Sequence, residues 1–333
     1  MDRLRRALIV GINTYANSRS LTGCVADAEV MAKMLARHSD QEPNFECRVL
    51  LDNVGENQPI TSSVLQKACR ELFADIRDDV VLYFSGHGVL TEHGGYLCTY
   101  DANRDNWGVS MDLVMKMANS SRARDILMIF DCCHAGDFAN PGLMAANGHD
   151  PLAMLRENTT IIAASLSSQS ALEEGGHGLF TAAVLDALDG GAADMMGWVT
   201  APSIYAYVER RFGAFDQRPV YKSYATGVRV VRKCPPTIDR AKLWRLVDLF
   251  ETEDFRYQLD PEYDSEDENG KVKGSINPDK ITIGKLFKEY RDAGLLKPTI
   301  PGEQLFWTAR YSHTVELTWS GREYWWLAKH NRL

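Results

Sequence analysis

The first 235 residues predict an α/β fold with a mostly parallel central sheet. Apolar runs of strand length alternate there with segments of helical period. Two of the runs, residues 79–84 and 126–130, end in Ser85-Gly86-His87-Gly88 and in Asp131-Cys132-Cys133-His134-Ala135-Gly136. Ligands of an open parallel sheet bind outside the carboxyl ends of its strands. Two strands ending in a His and a Cys therefore place a base beside a nucleophile.

Composition bounds the function. At 333 residues the chain is long enough for two domains, and 45% hydrophobic with 25% charged residues is ordinary for a globular protein. A net charge of -8 argues against a protein that coats nucleic acid, which needs a basic surface. No apolar run approaches the length of a membrane span, and the apolar stretch after Arg5-Arg6 is broken by Gly11 and Asn13, too soon for a signal peptide. Seven cysteines without regular spacing read as thiols in a reducing compartment, so a cytoplasmic location is expected.

Taken in order, residues 6–12 read as the first strand and 25–38 as a helix with Val25, Met31, Met34 and Leu35 near one face. A short strand at 48–51 precedes a helix at 61–76, whose stripe is Val64, Leu65, Ala68, Leu72 and Phe73. The strand into His87 leads to a glycine-rich loop through Gly94-Gly95, a helix at 111–118, and the strand into Cys133. Residues 137–158, rich in Gly, Asn and Pro, read as a loop beside the Cys. A strand at 159–164, helices at 180–188 and around 203–212, and a strand at 227–232 follow, and Cys234-Pro235-Pro236 ends the domain.

Residues 236–278 read as a helix, 239 to about 255, followed by an acid-rich linker at 260–270. Residues 279–333 read as a small aromatic domain: a helix at 281–293, a ribbon of two strands at 305–310 and 314–319, and a helix at 321–331. Lys285, Lys288 and Arg291 recur every three residues, a stripe that reads as a solvated or docking face in preference to a phosphate track. Trp307, Trp319, Trp325 and Trp326 read as core and interface anchors.

A cysteine nucleophile acts as its thiolate, and a nearby imidazole generates one. Gly88 lets a substrate backbone approach closely, and the N–H groups of Gly88 and Cys133 are candidates for an oxyanion hole. A zinc site from His87, Cys132, Cys133 and His134 is not expected, because neighbours on a strand end point apart and paired ligand spacing is absent. No metal site and no cofactor are predicted.

The chain resembles the caspase-like cysteine peptidases of the metacaspase and bacterial orthocaspase branch. The resemblance rests on residues 7–13 (Ala-Leu-Ile-Val-Gly-Ile-Asn), 21–28 (Leu-Thr-Gly-Cys-Val-Ala-Asp-Ala) and 83–88, then on 131–136, 178–181 (Gly-Leu-Phe-Thr) and 217–220 (Gln-Arg-Pro-Val), in the expected order. The 46-residue separation of His87 and Cys133 also suits it. It implies a caspase-hemoglobinase-like α/β/α sandwich for residues 1–235, and residues 279–333 resemble the end of a winged-helix domain.

The family pattern of Asp, a small residue, then Cys-His puts the nucleophile at Cys133, with Cys132 at the variable position; His134 reads as a packing or hydrogen-bonding residue and not as the base. It also assigns Asp131, Asp27 and Ser85 to the pocket for the side chain before the cut bond. Two carboxylates facing one slot bind Arg or Lys and repel Asp or Glu. Many eukaryotic relatives need calcium, held by an acidic run after the His loop. Here residues 89–96 are short and nearly uncharged, and Asp101 and Asp105 read as turn residues, so calcium dependence is not supported. Arg156, the one basic residue of the 137–158 loop, is a candidate for self-processing.

The expected function is thus a cysteine endopeptidase acting on protein substrates after Arg or Lys, with an effector role in bacterial defence or programmed cell death implied by the resemblance. The alternative is a non-catalytic scaffold whose C-terminal part binds a sensor protein or nucleic acid.

Overall fold

Apolar runs too short for a helix become strands covered on both faces. The computed structural model describes residues 5–52, 59–132, 155–164, 173–174, 177–212, 218–264 and 277–333. They divide into two compact units: residues 1–193 with 197–235, and residues 194–196 with 236–333.

The first unit begins β1 (Arg6–Gly11), α1 (Cys24–Ala36), β2 (Glu46–Leu51), α2 (Ser62–Phe73) and β3 (Val80–Ser85). The expected glycine-rich loop after His87 is instead a small antiparallel sheet of β4 (Gly88–Thr91), β5 (Gly94–Leu97) and β6 (Val109–Ser110). Gly94, at φ +111°, makes the turn between β4 and β5 that a side chain would strain. Then come α3 (Met111–Ser120), β7 (Ile126–Asp131), β8 (Thr159–Ala163) and the short ladder of β9 (Glu173–Glu174) with β10 (His177–Gly178). The unit ends with α4 (Leu179–Asp186), β11 (Trp198–Thr200), α5 (Ala201–Glu209), β12 (Val220–Tyr224) and β13 (Val230–Lys233).

Among the described residues the main sheet runs β12-β8-β7-β3-β1-β2, parallel except for antiparallel β12 at one edge. This is the mostly parallel α/β sheet that was expected. Alternation along the strands sorts two cores. Leu8, Val10, Leu82, Phe84, Met128 and Phe130 face α2 and α3, while Ile9, Val81, Tyr83, Leu127 and Ile129 face α1, α4 and α5. The closing strand differs from expectation. β12 contributes half-exposed Lys222 and exposed Ser223, so it carries no apolar signature, and the expected strand near 227–232 pairs with β11 outside the main sheet.

The second unit contains α6 (Arg240–Trp244), α7 (Leu246–Leu249), β14 (Tyr257–Gln258), a 3-10 turn (Pro261–Tyr263), α8 (Pro278–Asp292), β15 (Leu296–Pro298), α9 (Leu305–Arg310), β16 (Thr314–Leu317) and α10 (Trp319–Lys329). The single helix expected over 239–255 is two short ones that meet at Arg245. The strand expected at 305–310 is a helix, and β16 pairs with β15 and β14 instead, so the ribbon behind the winged-helix likeness is not formed. Leu305, Thr308 and Ala309 are the buried positions, a helical spacing that outweighs the strand preference of Phe306, Trp307 and Thr308.

Residues expected to connect the domains belong to this unit's core: Ile238, Leu243, Leu246, Phe250 and Leu259 pack with Phe287, Tyr290 and Trp325. The start of the acid-rich run lies on α8, where Lys280 pairs with Asp260 and Glu262, and Lys288 with Asp264. Arg291 pairs with Asp292, so two members of the basic stripe are neutralised. Residues 265–270 of that run lie outside the described residues. Trp325 is buried, but Trp319 is 85% exposed and is no core anchor.

Candidate active site

Register aligns three strand ends. Gly11 of β1 pairs with Ser85 of β3, and Ser85 pairs with Asp131 of β7. Paired residues point to the same face, so the Ser85 and Asp131 side chains lie on the side covered by α1 and α4. Asp27 arrives in the first turn of α1. The Asn13 side-chain oxygen accepts the Cys24 N–H at 3.0 Å and sets that helix start against the sheet. Asp27 and Ser85 are buried, at 1% and 2% exposure. The structure thus brings Asp27, Ser85 and Asp131 together.

The electrostatics of this cluster are those of crowded carboxylates. Burial lifts the Asp131 carboxyl to about 6; the Thr181 hydroxyl opposes the rise, and the negative charge of Asp27 adds to it. Burial pushes the Tyr83 phenol well up as well, and the charges of Asp131 and Asp27 push the same way. A carboxylate raised by burial and by a second carboxylate favours a cation nearby over an anion.

His87 follows two residues after Ser85. Its backbone N–H donates to Tyr15 Oη at 2.7 Å, the two rings lie 4.6 Å apart, and Tyr15 Oη donates to the Ile12 carbonyl at 3.2 Å. Burial raises the Tyr15 pKa, so the phenol keeps its proton. His87 Nε2 lies 2.7 Å from the Arg19 carbonyl oxygen. A carbonyl only accepts, so the neutral ring carries its proton on Nε2 and leaves Nδ1 as the unprotonated nitrogen. The His87 carbonyl accepts from Cys98 N–H at 2.9 Å, which seats Gly88 at the start of β4 opposite Leu97. Cys133 and His134 lie outside the described residues, as does residue 137–154 of the adjoining stretch. Cys132 is described, and it is buried in the core on the opposite face from Asp131.

With this geometry in place, comparison with known proteins is decisive: the caspase-domain family matches residues 4–229. The chain belongs to the caspase-domain family. Among relatives, metacaspase-1 of Meyerozyma guilliermondii is 30% identical over 146 residues, 40% of this chain and 35% of that protein. Metacaspase-1 of Yarrowia lipolytica is 27% identical over 148 residues, 40% and 31% of the two. Metacaspase-2 of Trypanosoma brucei brucei is 26% identical over 181 residues, 48% and 52%. The chain therefore matches between about a third and a half of these relatives' lengths. A crystal structure of a Geobacter sulfurreducens protein aligns with TM-score 0.48 at 18% identity, over 67% of this chain and 94% of that one.

In this caspase domain, sequence reasoning missed the groups that hold the expected site residues. Tyr15 and the Arg19 carbonyl fix His87, and Thr181 bonds Asp131, although Thr181 stands in a motif already singled out. Arg156, expected as a cleavage point, is held by carbonyls: its guanidinium donates to Ser121 O at 2.8 Å, Ala123 O at 2.5 Å and Glu157 O at 3.2 Å. That is an anchor tying the approach of β8 to the end of α3. Asp101 is a turn residue, its Oδ1 accepting Ser62 N–H at 2.9 Å and the Thr99 hydroxyl at 2.6 Å. Among the described residues, no three His, Cys, Asp or Glu side chains group as a metal site, and no helix is long and apolar enough to cross a membrane.

Proposed function

We propose that the chain is a cysteine endopeptidase that hydrolyses protein substrates after Arg or Lys. The observation that carries this reading is that buried Asp27 and the strand-end Asp131 act on one another's charge, with Asp131 in register with Ser85 two residues before His87. Cys133 Sγ, as the thiolate, attacks the scissile carbonyl carbon, and the N–H groups of Gly88 and Cys133 receive the oxyanion. His87 gives the proton taken from the thiol to the leaving amine, and an acyl-enzyme remains. Water, deprotonated by His87, then displaces Cys133 and releases the carboxylate product. The substrate guanidinium or ammonium sits against Asp27 and Asp131, with Ser85 as a neutral wall.

No step in this scheme needs a metal. A reducing, cytoplasmic setting is part of this reading and rests on the irregular spacing of the seven cysteines. A role in defence or programmed cell death rests on the resemblance alone. The deciding experiment compares Arg-ended, Lys-ended and Asp-ended fluorogenic peptides with wild-type protein and Cys133→Ala. Cleavage of the basic peptides that disappears in Cys133→Ala is expected. Asp preference, or undiminished activity of the variant, overturns the reading.

A further inference from the structure

The geometry points to Thr181, backed by Tyr83, as the positioning residue that holds Asp131 ionised and aimed for a basic substrate side chain. This rests on the endopeptidase reading and names a determinant of specificity beyond the carboxylates themselves.

Thr181 and Tyr83 are fully buried, 98 residues apart in sequence, and meet at 2.7 Å between hydroxyls. Thr181 Oγ1 donates its one proton to Asp131 Oδ2 at 2.6 Å, and its backbone N–H donates to the same carboxylate. A hydroxyl has a single proton, so Tyr83 must donate to Thr181. The result is a one-directional chain, Tyr83 to Thr181 to Asp131, that ends on a group able only to accept while ionised.

The rigidity follows from where the hydroxyls sit. Tyr83 and Ser85 are two apart on β3 and share a face, while Thr181 stands in the first turn of α4, which covers that face. Neither hydroxyl can turn to water, so losing one leaves a buried polar group unmatched. Asp27 from α1 disfavours the Asp131 charge, and that charge together with Asp27 disfavours ionisation of Tyr83 from β3. Thr181 acts in the opposite direction.

The test uses the full chain. Thr181→Val keeps the shape and removes the hydroxyl. A lost bond to a charged group predicts a fall of about 10- to 100-fold in kcat/KM on an Arg-ended fluorogenic peptide, mainly through KM. The acid limb of the pH profile moves up by about one unit, because the variant no longer favours the carboxylate. Thr181→Ser restores both, and Tyr83→Phe moves both in the direction of Thr181→Val by a smaller amount. Carbon-13 NMR titration of the Asp131 carboxyl, assigned with Asp131→Asn, reads the same rise without substrate. A folded Thr181→Val with wild-type KM, acid limb and Asp131 titration overturns the inference. If wild-type protein cleaves no basic peptide, the endopeptidase reading fails while the NMR titration still decides the Thr181 role. If Thr181→Val does not fold, Tyr83→Phe decides: an unmoved Asp131 titration there overturns the proposal.

Discussion

Gly11 and Cys24 stand so close that a Cβ on Gly11 would lie 2.4 Å from the Cys24 carbonyl oxygen and 2.8 Å from the Ala28 side chain. The end of β1 thereby receives the first turn of α1, and Asp27 enters the slot on that turn. Gly11→Ala forces helix and strand apart. The expected loss of stability is about 1–3 kcal/mol, the usual cost of overpacking, measured by urea unfolding of the intact chain. Because Asp27 moves with the helix, kcat/KM on an Arg-ended peptide falls further than the fraction folded.

Asp131 is expected to make activity and stability depend on pH in opposite senses. Its folded pKa of about 6 lies above the ordinary aspartate value of 3.8. Between those two values the native state holds more protons than the unfolded one, so the group's contribution to stability is full below pH 3.8 and is lost as pH rises through 6. A cationic substrate needs the ionised form, so kcat/KM rises over the range in which this contribution is lost. Asp131→Asn keeps the shape and the Thr181 contact. It is expected to raise stability at pH 7 by up to ~3 kcal/mol while removing cleavage after Arg. Thermal melts at pH 5 and 7.5 check the first effect, and peptide kinetics the second.

What the sequence disclosed follows from burial. β1, β3, β7 and β8 are covered on both faces, so each reads as a continuous apolar run and the strand ends locate His87 and Asp131. β12 is half exposed and polar, and β4 and β5 consist largely of residues that also make loops, so neither announced itself. Tyr83 reads as one more core residue of β3. Its role depends on Thr181, placed against it by a helix with no local sequence relation to β3. Long-range hydroxyl pairing leaves no periodic trace, whereas Gly-His-Gly at a strand end does.

Arg156 tests whether an anchor was mistaken for a cleavage point. Its three carbonyl contacts hold the approach to β8 against the end of α3. Arg156→Met keeps the aliphatic stem and removes the donors. Three bonds from one charged group predict a destabilisation of about 2–4 kcal/mol, read as a lower urea midpoint. The fragment pattern of active protein on a denaturing gel should be the same for wild type and variant. A wild-type fragment ending at Arg156 and missing in the variant would restore the self-processing role.

His87 is held at both ends: its N–H by the Tyr15 hydroxyl, its Nε2 by the Arg19 carbonyl. The Tyr15 contact leaves the ring's titrating nitrogen untouched and acts through backbone position. Gly86 permits it, since a Cβ there would lie 2.7 Å from Tyr15 Oη. Tyr15→Phe removes the acceptor of the His87 N–H while keeping the ring stack. A displaced base slows proton transfer more than it weakens substrate binding, so kcat should fall about tenfold with KM within about twofold. Gly86→Ala pushes the same hydroxyl away and should reproduce that split. A Tyr15→Phe protein with unchanged kcat would show that the Arg19 carbonyl alone orients the imidazole.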